Sequence, residues 1–467
     1  MTEKKKYDIA VIGAGPGGYV AAIKAAQMGR SVALIDKGPL GGSCLNVGCI
    51  PTKTLLANTN VLRMIRHAKD FGITVGDIST DYAQMKNRKD AVVSKIRTSL
   101  EGLLKTNKIT IYRGGAQFQS PHELKVMGHD NLFIEAEKII IATGSIPLDV
   151  KAFPCDNQRI LNSTSLLELT HLPKSLAIVG GGYIGCEFAS LFSELGVKVT
   201  ILEALGSILS LQGSRISQFM TRAYQTRGVE IKTNVMVKAI ENHGSHVSVV
   251  LADGQKLDAD LALVAVGRKI YTEHLGLDKA GLVTTDKGAI ETNSMMETAV
   301  PGIYAIGDVT GKWMLAHVAS HQGIVAGSNA AGVEKHIHYE AVPAVVFTSP
   351  EIATVGLTLE EALKQGLSAT SGMFPLTALG KAIAAMETEG YAEIVSDKKT
   401  KQILGAQVVG HDASNLIAEM ALAIQNELTL ESVMDTIHAH PTIAESWHEA
   451  ALLANETPIH FPPRIKR

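Results

Sequence analysis

Cysteine is scarce in this chain, with four residues in 467, at positions 44, 49, 155 and 186. A secreted disulfide framework needs more, so a reducing compartment is expected, with any disulfide a working one. Charge of one sign is lacking as well: a formal net charge of -2 leaves no basic footprint for nucleic acid and no strong acidic field. Small molecules or near-neutral protein surfaces are the partners that such a balance permits. Long apolar runs are missing too, because Gly, Lys or Glu interrupts each one well short of the roughly 20 residues of a membrane span. The basic start Thr2 to Lys6 passes straight into an apolar strand with no cleavage-site pattern, so no signal peptide is expected. A soluble, cytoplasmic protein is the expectation.

What the chain does have is an ordinary globular balance, 46% hydrophobic and 19% charged, over a length that suits about three domains of roughly 150 residues. Two of the four cysteines share one short stretch, Gly41 to Lys53, reading GGSCLNVGCIPTK. In a regular helix two Cα atoms five residues apart lie roughly 8.5 Å from each other, beyond disulfide reach. For Cys44 and Cys49 to pair, the backbone must bend, and Gly48 is the residue that could let it. Pro51 looks like the opening of a helix, and a helix N-terminus beside Cys49 favours a thiolate. The order points to a redox pair; two inert buried cysteines are the plainer alternative. Lys53 follows Cys49 by one helical turn and would share its face.

A strand, Tyr7 to Ile12, leads into Gly13-Ala14-Gly15-Pro16-Gly17-Gly18, an alanine-rich helix and a second strand ending at Asp36. In that order Gly13 permits a tight turn, Gly15 lets backbone approach a pyrophosphate, Gly18 allows helix to pack on strand, and Asp36 is placed for a ribose hydroxyl. The pattern then repeats. Strand Ser175 to Val179 leads into Gly180, Gly182 and Gly185, a helix carrying Glu187, and a strand ending at Glu203. Gly13 to Asp36 and Gly180 to Glu203 are the same interval, 23 positions. Two such units predict two dinucleotides bound by one chain. Glu203 is followed by Ala204, Leu205 and Gly206, with no basic residue for a 2′-phosphate, so the second site should prefer NAD(H) over NADP(H).

Between the units, strand-like pieces are expected at Ile109 to Tyr112, Leu132 to Ile134 and Lys138 to Ala142, closing in the turn Thr143-Gly144-Ser145. Asp258 to Gly267 forms the matching exit from the second unit. Gly302 to Asp308 reads as a strand ending in a carboxylate, whose plain role is a strand-end turn. From about Pro343 the glycine fingerprints stop, with strands at Ala392 to Val395 and Ile403 to Val409 and helical spacing at Asn415 to Asn426, which predicts a separate domain. Among sixteen histidines, His440 stands out by its setting, His440-Pro441-Thr442-Ile443-Ala444-Glu445. A general base needs an imidazole held in one tautomer, and an acid at Nδ1 supplies that hold. A satisfied structural histidine is the plain alternative.

The run GGSCLNVGCIPTK resembles the redox-active segment of the pyridine nucleotide disulfide oxidoreductases, a family of flavoproteins, and is most similar to their dihydrolipoamide dehydrogenase branch. The resemblance extends over nearly the whole chain. It implies an α/β fold of two Rossmann-like dinucleotide-binding domains plus an α+β C-terminal dimerisation domain. The expected limits are 1–147 for FAD binding, 148–268 for NAD binding, 269–342 for a return to the FAD domain and 343–467 for the dimer interface. It implies FAD on Gly13, Gly15, Gly18 and Asp36, with Thr143 and Gly144 at the return strand, and it places Gly267 at the matching exit of the second, NAD-binding unit. Asp308 would bond the flavin's ribitol chain, while Met314, Ala316 and His317 start a helix close to the flavin. Lys53 and Glu187 would form an ion pair at its edge, and NAD would take the second fingerprint with Glu203. No metal cofactor belongs to the scheme. HPTIAE resembles the active-site tail, which implies that His440, oriented by Glu445, crosses a homodimer interface to face Cys44 and Cys49 of the other subunit. The chain departs from the family at Ile270 and Tyr271, where Pro and Asn are usual two and three residues after the arginine, and at His321, often Glu.

The resemblance implies oxidation of a protein-bound dithiol with reduction of NAD+, and as partners the lipoyl domains of a 2-oxoacid dehydrogenase complex or the glycine-cleavage H protein. No lipoyl domain is visible at the N-terminus, so that group is expected from another protein. Other disulfide reductases of the family fit less well. A glutathione reductase would normally prefer NADPH, mercuric reductases carry a further C-terminal cysteine pair, and the soluble transhydrogenase relatives lack the first cysteine. A structural flavoprotein subunit would not need Cys44, Cys49, His440 and Glu445 together.

Overall fold

Parallel pairing needs a crossover, and the glycine turn followed by helix Pro16–Gln27 supplies one. Strand Lys4–Ile12 therefore lies parallel to Val32–Asp36, with Ile9 opposite Val32 and Ile12 opposite Ile35. On its other side runs Leu132–Ile141, and beyond that Ile303–Ala305, both parallel. Thr110–Ser120 joins Val32–Asp36 at its start and then turns into an antiparallel meander with Glu123–Gly128 and Leu132–Ile141. The computed structural model describes residues 4–462. The pieces expected at Leu132 to Ile134 and Lys138 to Ala142 are one continuous strand. Its first half serves the meander, and its second half carries the buried run Ile139, Ile140, Ile141 of the parallel sheet.

Two compact units divide the chain: residues up to Leu172 with Leu263–His338, and Pro173–Ala262 with the residues from Tyr339 onward. In the first, helix Ala316–Ala330 lies against helix Pro16–Gln27 through small residues. A Cβ on Gly323 would lie 2.4 Å from the Gly17 carbonyl oxygen, and one on Gly327 2.7 Å from that of Ala21. Positions advance together along the two helices, so they run in the same direction and begin at the same end.

In the second unit Ser175–Val179, Lys198–Leu202 and Glu230–Lys232 form a parallel sheet of the same kind, with helix Tyr183–Glu194 as crossover. The segment from Tyr339 forms a five-stranded antiparallel sheet in the order Ala344–Val346, Glu351–Gly356, Ile403–Gly410, Tyr391–Asp397, Ala369–Pro375. Helices Ala413–Gln425 and Glu445–Ala454 close its core, which holds Trp447, Phe374, Ile394, Val408 and Met420. The Trp447 indole N–H donates to the Leu416 carbonyl at 3.1 Å, so this large buried ring leaves no polar atom unpaired. Among the described residues no helix is long and apolar enough to cross a membrane.

Candidate active site

Both glycine turns have the same geometry. Gly13 and Gly180 take φ of +101° and +107°, a conformation that L side chains rarely adopt. A Cβ at Gly18 would lie 1.8 Å from the Gly13 carbonyl oxygen, and one at Gly185 2.0 Å from that of Gly180, so helix and strand meet only because both are glycine. Gly15 and Gly182 precede the two helices without any side-chain cap. A Cβ at Gly182 would meet nothing within 4 Å, and one at Gly15 only the Gly42 Cα at 3.9 Å. Uncapped first-turn amides facing open space suit a pyrophosphate.

The two acids also match. Asp36 accepts from the Ala14 amide at 2.6 Å and the Gly38 amide at 2.7 Å; Glu203 accepts from Gly181 at 2.6 Å and Leu205 at 2.7 Å. Each carboxylate thus braces its own glycine turn, a duty that sequence spacing alone did not show. With about four acceptor positions per carboxylate, a ribose hydroxyl can still be bound. Burial pushes Asp36 above the ordinary aspartate range against the pull of its two amide bonds.

The redox stretch forms two helices. Cys44 lies in Gly42–Val47 and Cys49 opens Cys49–Arg66, so the second helix begins two residues before Pro51. Gly48 makes the break between them, and a Cβ there would lie 2.9 Å from the Ser43 carbonyl oxygen. The bend expected at this glycine is present. The two sulfurs are not bonded in the structure. A hydrogen bond to Cys49, then burial, holds the Cys44 thiol well above the usual range, while Lys53 works the other way. Asn46, between the cysteines, donates 2.9 Å bonds to the Leu40 and Gly42 carbonyls and keeps a buried Oδ1 with no protein partner. Sequence reading passed over it, although its place between two thiols was a signal.

Around the same end of the first unit, Asp308 sits in a short 3-10 turn after strand Ile303–Ala305. The Ser145 hydroxyl donates to its Oδ2, and Arg268 donates to the Ser145 hydroxyl and carbonyl, both at 2.7 Å. The buried Gln322 accepts from the Gly307 amide at 2.6 Å. Ser145, Arg268 and Gln322 are therefore supports of Asp308, bridging positions too far apart in sequence to read. Thr143 donates to the Tyr271 carbonyl at 2.6 Å, the Tyr271 amide donates to Gly144, and Lys37 donates to the Tyr271 hydroxyl at 2.6 Å. The departure at Tyr271 thus stitches the return-strand turn to the residue after Asp36. Gly267 accepts from the Leu148 amide. Met314 is partly exposed before helix Ala316–Ala330, whose first turn holds Ala316 and His317. One turn on, His321 is held below the usual histidine range by burial, then by Lys335 and His338.

In the second unit Glu187 is buried and accepts from the Phe347 amide at 3.0 Å. Lys53 lies in the first unit, on the helix that Cys49 opens. His440 and Glu445 meet as the spacing predicted: His440 Nδ1 lies 2.8 Å from Glu445 Oε1, and Glu445 Oε2 accepts from the Thr442 amide at 2.9 Å. Burial works to raise Glu445, but its bonds to His440 and Thr442 outweigh it and hold the carboxyl below the usual glutamate range. With Nδ1 engaged, Nε2 of the largely exposed His440 is the nitrogen available for proton transfer.

Residues 7–323 match the profile of the pyridine nucleotide-disulphide oxidoreductases, and residues 342–451 that family's dimerisation domain. The chain is 51% identical over 460 residues to a dihydrolipoyl dehydrogenase of Chlamydia pneumoniae, covering 98% of this chain and 99% of the relative. It is 43% identical to one from Geobacillus stearothermophilus, covering 97% of each. Among solved structures, LpdA of Mycobacterium tuberculosis superposes with a TM-score of 0.91 at 29% identity, covering 96% of this chain and 99% of that one. The HOCl-induced flavoprotein disulfide reductase RclA of Escherichia coli, as its Cu(II) complex, gives 0.87 at 32%, with the same coverage.

Proposed function

The chain belongs to the pyridine nucleotide-disulphide oxidoreductases, enzymes that use FAD and NAD(H), and on that premise we propose that it is a dihydrolipoyl dehydrogenase. The observation that carries this reading is the pair of thiols at the Gly48 break, in a segment packed on the first glycine turn. FAD fits the first turn, where uncapped helix amides, the braced Asp36 and the unpartnered Asn46 Oδ1 offer acceptors and donors in one place. NAD(H) fits the second, with Glu203 at its ribose.

The cycle starts from a Cys44–Cys49 disulfide. His440 of the partner subunit takes a proton from the substrate dithiol, and the thiolate so formed attacks Cys44, releasing Cys49 as a thiolate. The second substrate sulfur then displaces Cys44, so the substrate leaves as a disulfide and the enzyme pair is reduced by two electrons. Held at the first glycine turn by the helix amides and Asp36, FAD would supply two-electron chemistry between the cysteine pair and NAD+. Lys53 supplies positive charge on the Cys49 helix. Glu445 keeps His440 in the tautomer that can accept at Nε2. Thr143, Gly144, Asp308, Met314, Ala316 and His317 form the remaining flavin contacts in this scheme, and Gly267, at the exit of the second fingerprint, belongs with NAD(H).

The substrate is a lipoyl group on another protein, from a 2-oxoacid dehydrogenase complex or a glycine-cleavage H protein, and the enzyme works in the cytoplasm as a homodimer. The four domain limits set out from the sequence carry over into this proposal. The experiment is to record the visible spectrum of the purified protein, add dihydrolipoamide, and then add NAD+. A long-wavelength band followed by NADH formation supports the reading. A flavin spectrum unmoved by dihydrolipoamide overturns it.

A further inference from the structure

Residues 436–444 carry the proposed base, yet little of this loop is anchored by burial. Ile437 is 95% exposed and the His440 side chain 77% exposed. Two residues are exceptions: Ile443, after His440, is buried in the core, and His438, before it, has a side chain only 7% exposed. Its Nδ1 lies 3.0 Å from the Thr436 carbonyl oxygen and its Nε2 2.9 Å from Glu419 Oε1. A carbonyl oxygen can only accept, so Nδ1 carries a hydrogen. Nε2 faces the Glu419 carboxylate within hydrogen-bond distance, so both ring nitrogens are engaged.

Glu419 lies on helix Ala413–Gln425, the same helix that receives the Trp447 indole at Leu416. The loop is therefore fastened to one helix on both sides of His440, by His438 before it and by Trp447 after it. The other ring facing His438 is His448, with centroids 5.9 Å apart.

We propose that His438 and Glu419 form a positioning clasp that fixes the main chain two residues before His440, so that its imidazole meets the substrate thiol. The clasp rests on the assignment of His440 as base. His438 touches no reacting atom; it acts through the short backbone to His440.

The test uses the holoenzyme and two assays on each preparation. One follows oxidation of dihydrolipoamide by NAD+. The other follows reduction of ferricyanide by NADH, which draws electrons through the flavin and asks nothing of a dithiol base. His438→Asn keeps a donor for Thr436 but cannot reach Glu419. Glu419→Ala removes the acceptor, and Glu419→Gln retains one. A displacement of about 1 Å costs on the order of a hundredfold, so His438→Asn and Glu419→Ala should lower kcat for the dithiol by roughly ten- to a hundredfold. Ferricyanide reduction should be unchanged, Glu419→Gln should recover most of the loss, and the double variant His438→Asn with Glu419→Ala should be no worse than either single one. Full dithiol turnover in both single variants overturns the clasp, as does an equal loss in both assays, which would mark a general loss of fold. His440→Gln is measured alongside. If it loses turnover while the clasp variants do not, the clasp alone fails; if it keeps turnover, the assignment of the base fails.

Discussion

Gly42 presses on Gly15: a Cβ added to Gly42 would lie 2.7 Å from the Gly15 Cα. The segment that holds the two thiols is thereby seated on the turn assigned to the flavin pyrophosphate. Gly42→Ala must push one backbone off the other, an overpacking cost of about 1–3 kcal/mol. We expect the variant to purify with less flavin per chain, read from the ratio of visible to ultraviolet absorbance. Full flavin content with full turnover would show that the contact is not needed.

Cys44→Ser should abolish dithiol turnover while the protein keeps its flavin, because the pair performs exchange and the glycine turn performs binding. Flavin loss from this variant would refute that division of labour.

Glu203→Arg should weaken use of NAD+ and improve use of NADP+. The structure adds a second consequence, since Glu203 also holds the Gly181 and Leu205 amides. Hydrogen bonds to charged groups contribute about 1.5–3 kcal/mol each, so the loss for NAD+ should exceed the gain for NADP+. An unchanged ratio of kcat/KM values would mean that another residue reads the ribose.

The His440–Glu445 link should persist below the ordinary titration of a glutamate. Glu445 is held below its unfolded-state value, so its contribution is present above that value and is lost as pH falls through the lowered folded one. In Glu445→Gln that source of acid sensitivity is gone, and the acid limb of the dithiol kcat/KM profile should change shape. Identical profiles for the two proteins would remove Glu445 from the mechanism.

Trp447→Ala empties the core under the helix that follows His440, at a cost of about 3–5 kcal/mol. Thermal unfolding should move down sharply while any chain still folded keeps both glycine turns. An unchanged Tm would mean that the surrounding Phe374, Ile394 and Met420 collapse into the space.

Local features were legible because their causes are local. Gly13, Gly15 and Gly18 with Asp36, and their copy at Gly180, Gly182, Gly185 and Glu203, follow from steric limits within a few residues. The bend at Gly48 follows from the reach of a disulfide, and the His440–Glu445 bond from a five-residue interval that a short turn can close. The continuous strand Leu132–Ile141 was read as two because one of its edges passes from Glu123–Gly128 to Ile303–Ala305 while the other stays on Lys4–Ile12, and no local pattern records which neighbour a strand finds.

The sequence by itself determined the two glycine-turn folds, the pair of neighbouring cysteines and the histidine bonded to its acid, each written in residues close along the chain. Only the tertiary structure decided what supports them: Ser145 and Arg268 under Asp308, Gln322 at Gly307, Tyr271 between Lys37 and Thr143, and Glu419 beneath His438. Those partners come from segments that the chain brings together by packing, and a hydrogen bond between distant segments leaves no periodicity in the sequence to read.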